Sequence, residues 1–254
     1  MIEEEQDPAD APRLRWWREI VYILVFYAVY TAIRNTQGSA AVSEATARGN
    51  AELVIDWERA IGLFQEHRIQ SWFIDQRWFI QFWNIFYGTA HFIVTAAALI
   101  FMFRRLKGRY ALWRNTLACT TALALIGFAT FPLMPPRLLG QYGFVDTLAE
   151  IGGLWSFDSG AMAKVSNQYA AMPSLHFGWA SWSALVLLQL VRVRWGRWLA
   201  IAYPFLTLFA IIVTANHYWL DAVGGALVLA VGYGLGRAIT AFNTRARLPA
   251  FAED

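Results

Sequence analysis

Three separated segments of the 254-residue chain carry side chains able to move a phosphoryl group: Arg137 in TFPLMPPRLL, Ser174 and His176 in AAMPSLHFGWA, and His217 and Asp221 in TANHYWLDAVGG. His217 and Asp221 are four residues apart, so a helix would place both on one face. Asp221 can then accept a hydrogen bond from one imidazole nitrogen, fix the tautomer, and leave the other nitrogen as a nucleophile. His176 is free to protonate a departing oxygen. Arg137 offers a permanent cation whose planar fork matches phosphate oxygens. Pro173 suits the first turn of a helix. Ser174 and the open N–H groups of that turn would form an anion cradle aided by the helix dipole. The set reads as phosphoryl transfer through a phosphohistidine, with no metal or other cofactor. Zinc on His176, His217 and Asp221 would have suitable ligand types, but Arg137 and Ser174 would be left without a role. A lone H-x-x-x-D pair often only joins helices, and Pro-Ser is common capping chemistry. The convergence of three segments is what points to a site.

The elements that must position these residues are apolar. Hydrophobic residues make up 57% of the chain and charged residues 15%, with 13 Trp, 10 Tyr and 18 Phe. A soluble domain has about 45–50% and about 25% respectively, so an integral membrane protein is expected. Six stretches approach the length that a bilayer requires, at 17–33, 78–103, 115–134, 173–191, 198–215 and 220–239. Their polar residues are isolated, which favours closed helices over a barrel. The expected fold is an all-α, six-helix transmembrane bundle forming one domain over residues 1–254. Arginine and lysine gather before the first span, between the second and third, between the fourth and fifth, and after the sixth. An even span count puts all four groups on one side, the cytoplasmic one.

The protein is therefore expected in the cell membrane as a multi-pass chain. The tails, 1–16 and 241–254, would be cytoplasmic and the active site extracytoplasmic. The catalytic core would cover 78–240, with its motifs at 130–138, 172–176 and 214–221. No small-residue cleavage site follows the first apolar run, which reads as a retained span. The formal charge of +3 is divided among short clusters and forms no face for nucleic acid. Cys119 is the sole cysteine, which excludes an intrachain disulfide and Cys-based zinc.

The outer segment 34–77 repeats Leu53, Trp57, Ile61 and Phe64 at helical spacing, with Glu52, Asp56, Arg59 and Glu66 on other faces. It is expected to be an amphipathic helix in the interface plane, packed on the bundle. In the second span Asn84, Tyr87 and His91 share one face and are candidates for contact with substrate or with the catalytic groups. Asn167 just before PSLH is another. A glycine-bearing loop over 139–171 is of a length usually tied to function or disorder.

The order PPRL, PSLH, H-x-x-x-D resembles the phosphatidic acid phosphatase type 2 superfamily, whose motifs are KxxxxxxRP, PSGH and SRxxxxxHxxxD on a six-helix membrane core. The resemblance covers about residues 80–240. It implies that His217 is the nucleophile, Asp221 its orienting partner and His176 the general acid. It also implies that Arg137, Ser174 and the Leu175 backbone hold the phosphate. Thr130 stands where the family has lysine, Leu138 where it has proline after the arginine, and Ala210 and Ile211 where it has Ser-Arg. PPRL, MPSLH, HYWLD and the N-x-x-Y-x-x-x-H of Asn84, Tyr87 and His91 are more similar to the lipid phosphotransferase branch, which includes inositol phosphorylceramide synthases. The implied partners are a lipid phosphate or phospholipid donor and an acceptor that is water or a hydroxyl. A non-enzymatic lipid transporter or scramblase is the competing class, but the polar residues gather at one depth and line no path through the bundle.

The charge pattern yields a direct test of sidedness. A cysteine at Ser159, in the long outer loop, should react with a membrane-impermeant thiol reagent in intact cells. One at Arg194 should react only after permeabilisation, and Cys119 in neither case. The reverse labelling pattern would invert the topology.

Overall fold

The computed structural model describes residues 15–36, 43–153 and 168–245. Its helices are α1 (Trp16–Thr36), α2 (Glu44–Ala60), α3 (Glu66–Phe73), α4 (Arg77–Arg105), α5 (Lys107–Thr130), the single turn α6 (Thr147–Glu150), α7 (Leu175–Leu190), α8 (Arg194–Val213) and α9 (Trp219–Arg245). No strand forms among the described residues, which contain one isolated parallel bridge between Leu133 and Ala170. Among the described residues, α4, α8 and α9 are the helices long and apolar enough to cross a membrane.

The positions of α5 and α7 differ from the spans expected there. The basic stretch from Lys107 to Arg114 belongs to the first turns of α5, and Leu106 alone separates it from α4. Helix α7 starts two residues after Pro173, so the proline precedes the cap instead of occupying the first turn.

Helix α9 packs along α5 through residues without side chains. A Cβ on Gly232 would sit 2.4 Å from Thr120 Oγ1, and one on Gly236 would sit 2.7 Å from the Thr116 backbone nitrogen. This is the small-residue seam by which helices in lipid gain van der Waals contact. The facing threonines satisfy their hydroxyls locally. Thr116, Thr120 and Thr121 donate to carbonyls four residues earlier at 2.8–2.9 Å, so none is left unpaired where water is scarce. Helix α1 is attached to α5 by Arg114, which reaches both carboxylate oxygens of Glu19 at 2.7 Å.

Helix α2 packs on the bundle by a face other than the Leu53, Trp57 and Ile61 stripe. Ala47, Ala51, Val54, Ile55 and Glu58 are buried, whereas Leu53, Trp57 and Ile61 are exposed. Ala47 and Ala51 allow the close approach, Val54 and Ile55 fill the contact, and Leu53, Trp57 and Ile61 are left outside. Phe64 alone of the expected stripe packs against the core built on Ala47, Ala51, Leu133, Met134, Phe144, Ala215 and Tyr218. That core lies beneath the motif segments.

The loop after α5 is folded over α2, α3 and α4 by side-chain to backbone bonds. Asn50 donates to the Pro132 carbonyl at 2.8 Å. The Gln70 amide brackets Val145, donating to its carbonyl and accepting from its N–H at 2.9 and 3.0 Å.

Substituting the seam tests its geometry. Gly232→Ala should destabilise the protein in detergent by about 1–3 kcal/mol through overpacking. Gly234→Ala, where a Cβ meets nothing within 4 Å, should leave stability unchanged or raise it by up to about 1 kcal/mol. Equal melting shifts for the two would remove the seam from the argument.

Candidate active site

The backbone joins the three motif segments before any side chain does. The Arg137 N–H donates to the Ala215 carbonyl at 2.7 Å, the Ser174 N–H to the Asp221 carbonyl at 2.8 Å, and the Leu133 N–H to the Tyr169 carbonyl at 2.7 Å. Ala215 ends α8 at φ 53°, a left-handed conformation that costs a residue with a Cβ roughly 1 kcal/mol or more. The N–H groups of Asn216 and His217 both point to the Ile211 carbonyl at 3.0 and 3.2 Å. That pair of bonds holds the reversal and turns His217 towards α7.

His217 precedes the first turn of α9, and Asp221 lies within it. Their contact is therefore a loop-to-helix bond and not the shared helical face expected from the spacing. His217 Nδ1 lies 3.0 Å from Asp221 Oδ2, and the same oxygen accepts the Tyr218 N–H at 3.0 Å. With a carboxylate acceptor on Nδ1, that nitrogen carries the proton and Nε2 presents its lone pair. His217 Nε2 lies 3.3 Å from His176 Nδ1. The result is a chain, Asp221–His217–His176, in which His217 is the middle member. The three ligand types considered for zinc do not converge on one point, and no such set occurs among the described residues.

His176 is held on two sides. Tyr87 stacks on its ring with centroids 4.2 Å apart and planes 23° from parallel, and His91 meets it edge-on at 4.2 Å. His91 Nδ1 donates to the Tyr87 carbonyl at 3.0 Å, which orients its own ring. Tyr87 and His91 thus join the histidine chain. Asn84 faces away from it. Its amide donates to the carbonyls of Thr147 and Gly152, each at 2.9 Å, and accepts from Thr147 Oγ1 at 2.9 Å. Three of the four hydrogen-bonding positions of the Asn84 amide are taken by the loop, so it fastens α6 to α4. Asn167 lies outside the described residues.

Ser174 is fully buried and caps α7, its Oγ accepting the Phe177 N–H at 3.4 Å. Leu175 and His176 open the helix, so their N–H groups have no acceptor within it. Arg137 is 8% exposed. Its Nη1 pairs with Asp146 Oδ2, and Asp146 Oδ1 caps α6 by accepting from Leu148 and Ala149 N–H at 3.1 and 3.2 Å. The sequence gives little sign of this partner, although an Asp ahead of the apolar Thr147-Leu148-Ala149 run has cap character. Glu58 of α2 and Glu66 of α3 lie in a charged segment whose spacing puts Glu66 on a polar face. Both are fully buried, and they accept the N–H groups of Leu220 and Trp219.

Among the described residues the regular elements are all helical, and an acid–His–His chain lies where the motif segments meet. A family model described as the PAP2 superfamily matches residues 52–235, and the chain belongs to that superfamily. Neither a curated protein nor a solved structure matches it. Superfamily members generally are phosphatases or phosphotransferases, which supports an enzyme acting on lipid phosphates.

The Arg137–Asp146 pair separates charge from capping. Asp146→Asn keeps an oxygen for the α6 cap but removes the negative neighbour of the buried Arg137, so inorganic phosphate should inhibit more strongly, at a loss of stability smaller than that of Asp146→Ala. Asp146→Ala loses the cap and the ion pair together and should cost about 2–4 kcal/mol. Unchanged phosphate inhibition in the Asn variant would separate Arg137 from anion binding.

Proposed function

We propose that this protein is a six-span membrane enzyme that transfers a phosphoryl or substituted phosphoryl group from a lipid donor to water or a hydroxyl acceptor through His217. The observation that carries this reading is the Asp221–His217–His176 chain with hydrogen bonds of 3.0 and 3.3 Å. Family membership over 52–235 supports it. In the proposed cycle, the donor phosphate displaces His176 from its contact with His217 Nε2. That nitrogen attacks phosphorus while the bond to the leaving oxygen breaks, and His176 supplies that oxygen with a proton. The acceptor oxygen then attacks the phosphohistidine, the N–P bond breaks, and the acceptor proton returns to His176.

Arg137, Ser174 and the N–H groups of Leu175 and His176 are proposed to hold the phosphate oxygens, replacing the charge stabilisation that a metal supplies elsewhere. Asn84 is proposed to act through the loop that it holds, and Tyr87 and His91 by fixing the His176 ring. The four basic clusters support an active site on the extracytoplasmic side, where outer-leaflet lipid and polar acceptors meet. The PPRL, MPSLH and HYWLD motifs support a transferase of the inositolphosphotransferase-like branch over a plain phosphatase. The exposed Leu53, Trp57 and Ile61 on α2 suit a helix lying at the lipid interface.

Purified protein given a lipid phosphate donor, with and without inositol or a lipid alcohol, separates the two outcomes. A transferase forms a new phospholipid, and a phosphatase releases inorganic phosphate. His217→Ala should abolish either product, and His176→Ala should slow the first step by about 10²–10⁴-fold. Turnover above trace in folded His217→Ala protein would end the covalent route.

A further inference from the structure

Three backbone N–H groups in a row lead into α9, and each is taken by a different carboxylate. Tyr218 N–H goes to Asp221 Oδ2 at 3.0 Å, Trp219 N–H to Glu66 Oε1 at 3.3 Å, and Leu220 N–H to Glu58 Oε1 at 2.8 Å. Asp221 belongs to α9 itself. Glu66 and Glu58 come from α3 and α2, from 153 and 162 residues earlier in the chain. Both glutamates are 0% exposed. Among the described residues no arginine or lysine pairs with either. The remaining oxygens, Glu58 Oε2 and Glu66 Oε2, are buried and have no donor, although the two carboxyls lie within hydrogen-bonding reach of each other. Two ionised carboxylates cannot share such a place without a cation. One proton between them supplies the missing donor and removes one charge.

We propose that Glu58 and Glu66 form a proton-sharing carboxyl pair that positions the His217 loop by clamping the backbone of residues 219 and 220. The inference rests on His217 as the reacting residue. The geometry explains why α2 and α3 matter to a site whose reacting groups lie elsewhere. The clamp holds the N–H groups of Trp219 and Leu220, and Asp221 Oδ2 holds that of Tyr218, between the clamp and His217. Loss of the clamp would let residues 217–220 drift from α7 and lengthen the His217–His176 contact.

The titratable groups facing the pair are Asp221 from α9, Tyr218 from the same loop and, behind it, Tyr142. His217 lies on the far side of Asp221. Burial, the hydrogen bond to Glu66 and its charge raise Glu58 from the ordinary value of 4.5 to about 10, and burial raises Glu66 as well. The folded protein thus keeps a proton that the unfolded chain releases above the ordinary carboxyl range. Stability from this source is complete below pH 4.5 and declines as the pH rises towards 10. A glutamine at position 58 imitates the protonated partner, accepting from Leu220 N–H and donating to Glu66 with nothing to titrate.

The test uses full-length protein in detergent. At about pH 8, the infrared carbonyl stretch of a protonated carboxylic acid should be present in the wild type and lost in both Glu58→Gln and Glu66→Gln. Between pH 5 and 9, the melting temperature of Glu58→Gln should gain on the wild type steadily. Glu58→Gln should keep kcat close to the wild-type value, whereas folded Glu58→Ala should lose about 10- to 100-fold in kcat with little change in KM. Retention of the carboxyl band in both glutamine variants, or parallel melting curves against pH, would overturn the shared proton. A folded Glu58→Ala with wild-type kcat would overturn positioning. The infrared and melting results do not depend on turnover, so they stand apart from any failure of His217 as the nucleophile.

Discussion

The approach of the α7 N-terminus to the first turns of α9 is the contact on which the site depends. Ser174 N–H donates to the Asp221 carbonyl at 2.8 Å, and the backbones can meet there because residue 225 is glycine. A Cβ at that position would lie 2.4 Å from the Ser174 carbonyl oxygen. Since a backbone atom cannot yield as a flexible side chain can, any larger residue would push the helices apart. The His217–His176 distance of 3.3 Å is set by this approach, because each histidine lies close to one of the touching segments. Arg137 is fixed to the same framework through the Ala215 carbonyl. The proposed reacting groups are thus located by backbone hydrogen bonds, and their side chains add orientation.

Around that contact, buried polar groups are arranged so that each charge has an answer. Asp146 answers Arg137, His217 and Tyr218 N–H answer Asp221, and the start of α9 answers Glu58 and Glu66. The positive end of a helix dipole favours carboxylates at its N-terminus, each by about 0.3–1 kcal/mol at exposed sites and more when partly buried. Three acids there exceed what one dipole neutralises, which makes the protonation state of the glutamates a structural matter. Tyr87 and His91 perform a related task without charge, holding the His176 ring by stacking and edge contact.

Much of the site could be read from residue types and spacing. Arg137, Ser174, His176, His217 and Asp221 stand out because ionisable groups are scarce in apolar segments, and the structure brings their segments together. Asn84, Tyr87 and His91 share a face, but periodicity cannot reveal that the loop at 147–152 covers one end of it. Tyr87 and His91 therefore meet His176 while Asn84 meets backbone. The stripe of Leu53, Trp57 and Ile61 misdirects for a related reason. Amphipathic periodicity does not say which side of a helix meets its neighbours, and the buried face of α2 runs through Ala47, Ala51, Val54, Ile55 and Glu58. Glu58 and Glu66 look like solvated charges within a charged segment. Only long-range folding reveals their partners.

The separation in sequence between those glutamates and α9 also has a consequence in time. Leu220 is made 162 residues after Glu58, and chains emerge from the ribosome at about 5–20 residues per second. For several seconds α2 and α3 carry two acids without their acceptor-binding backbone, and during that interval both can remain hydrated and ionised. The arrival of α9 completes the small-residue seam on α5, the clamp on residues 219 and 220, and the histidine chain together. A nascent chain interrupted before that point lacks His217 and its contact with His176. On the role proposed for His217, the chain can carry out no chemistry until α9 is in place.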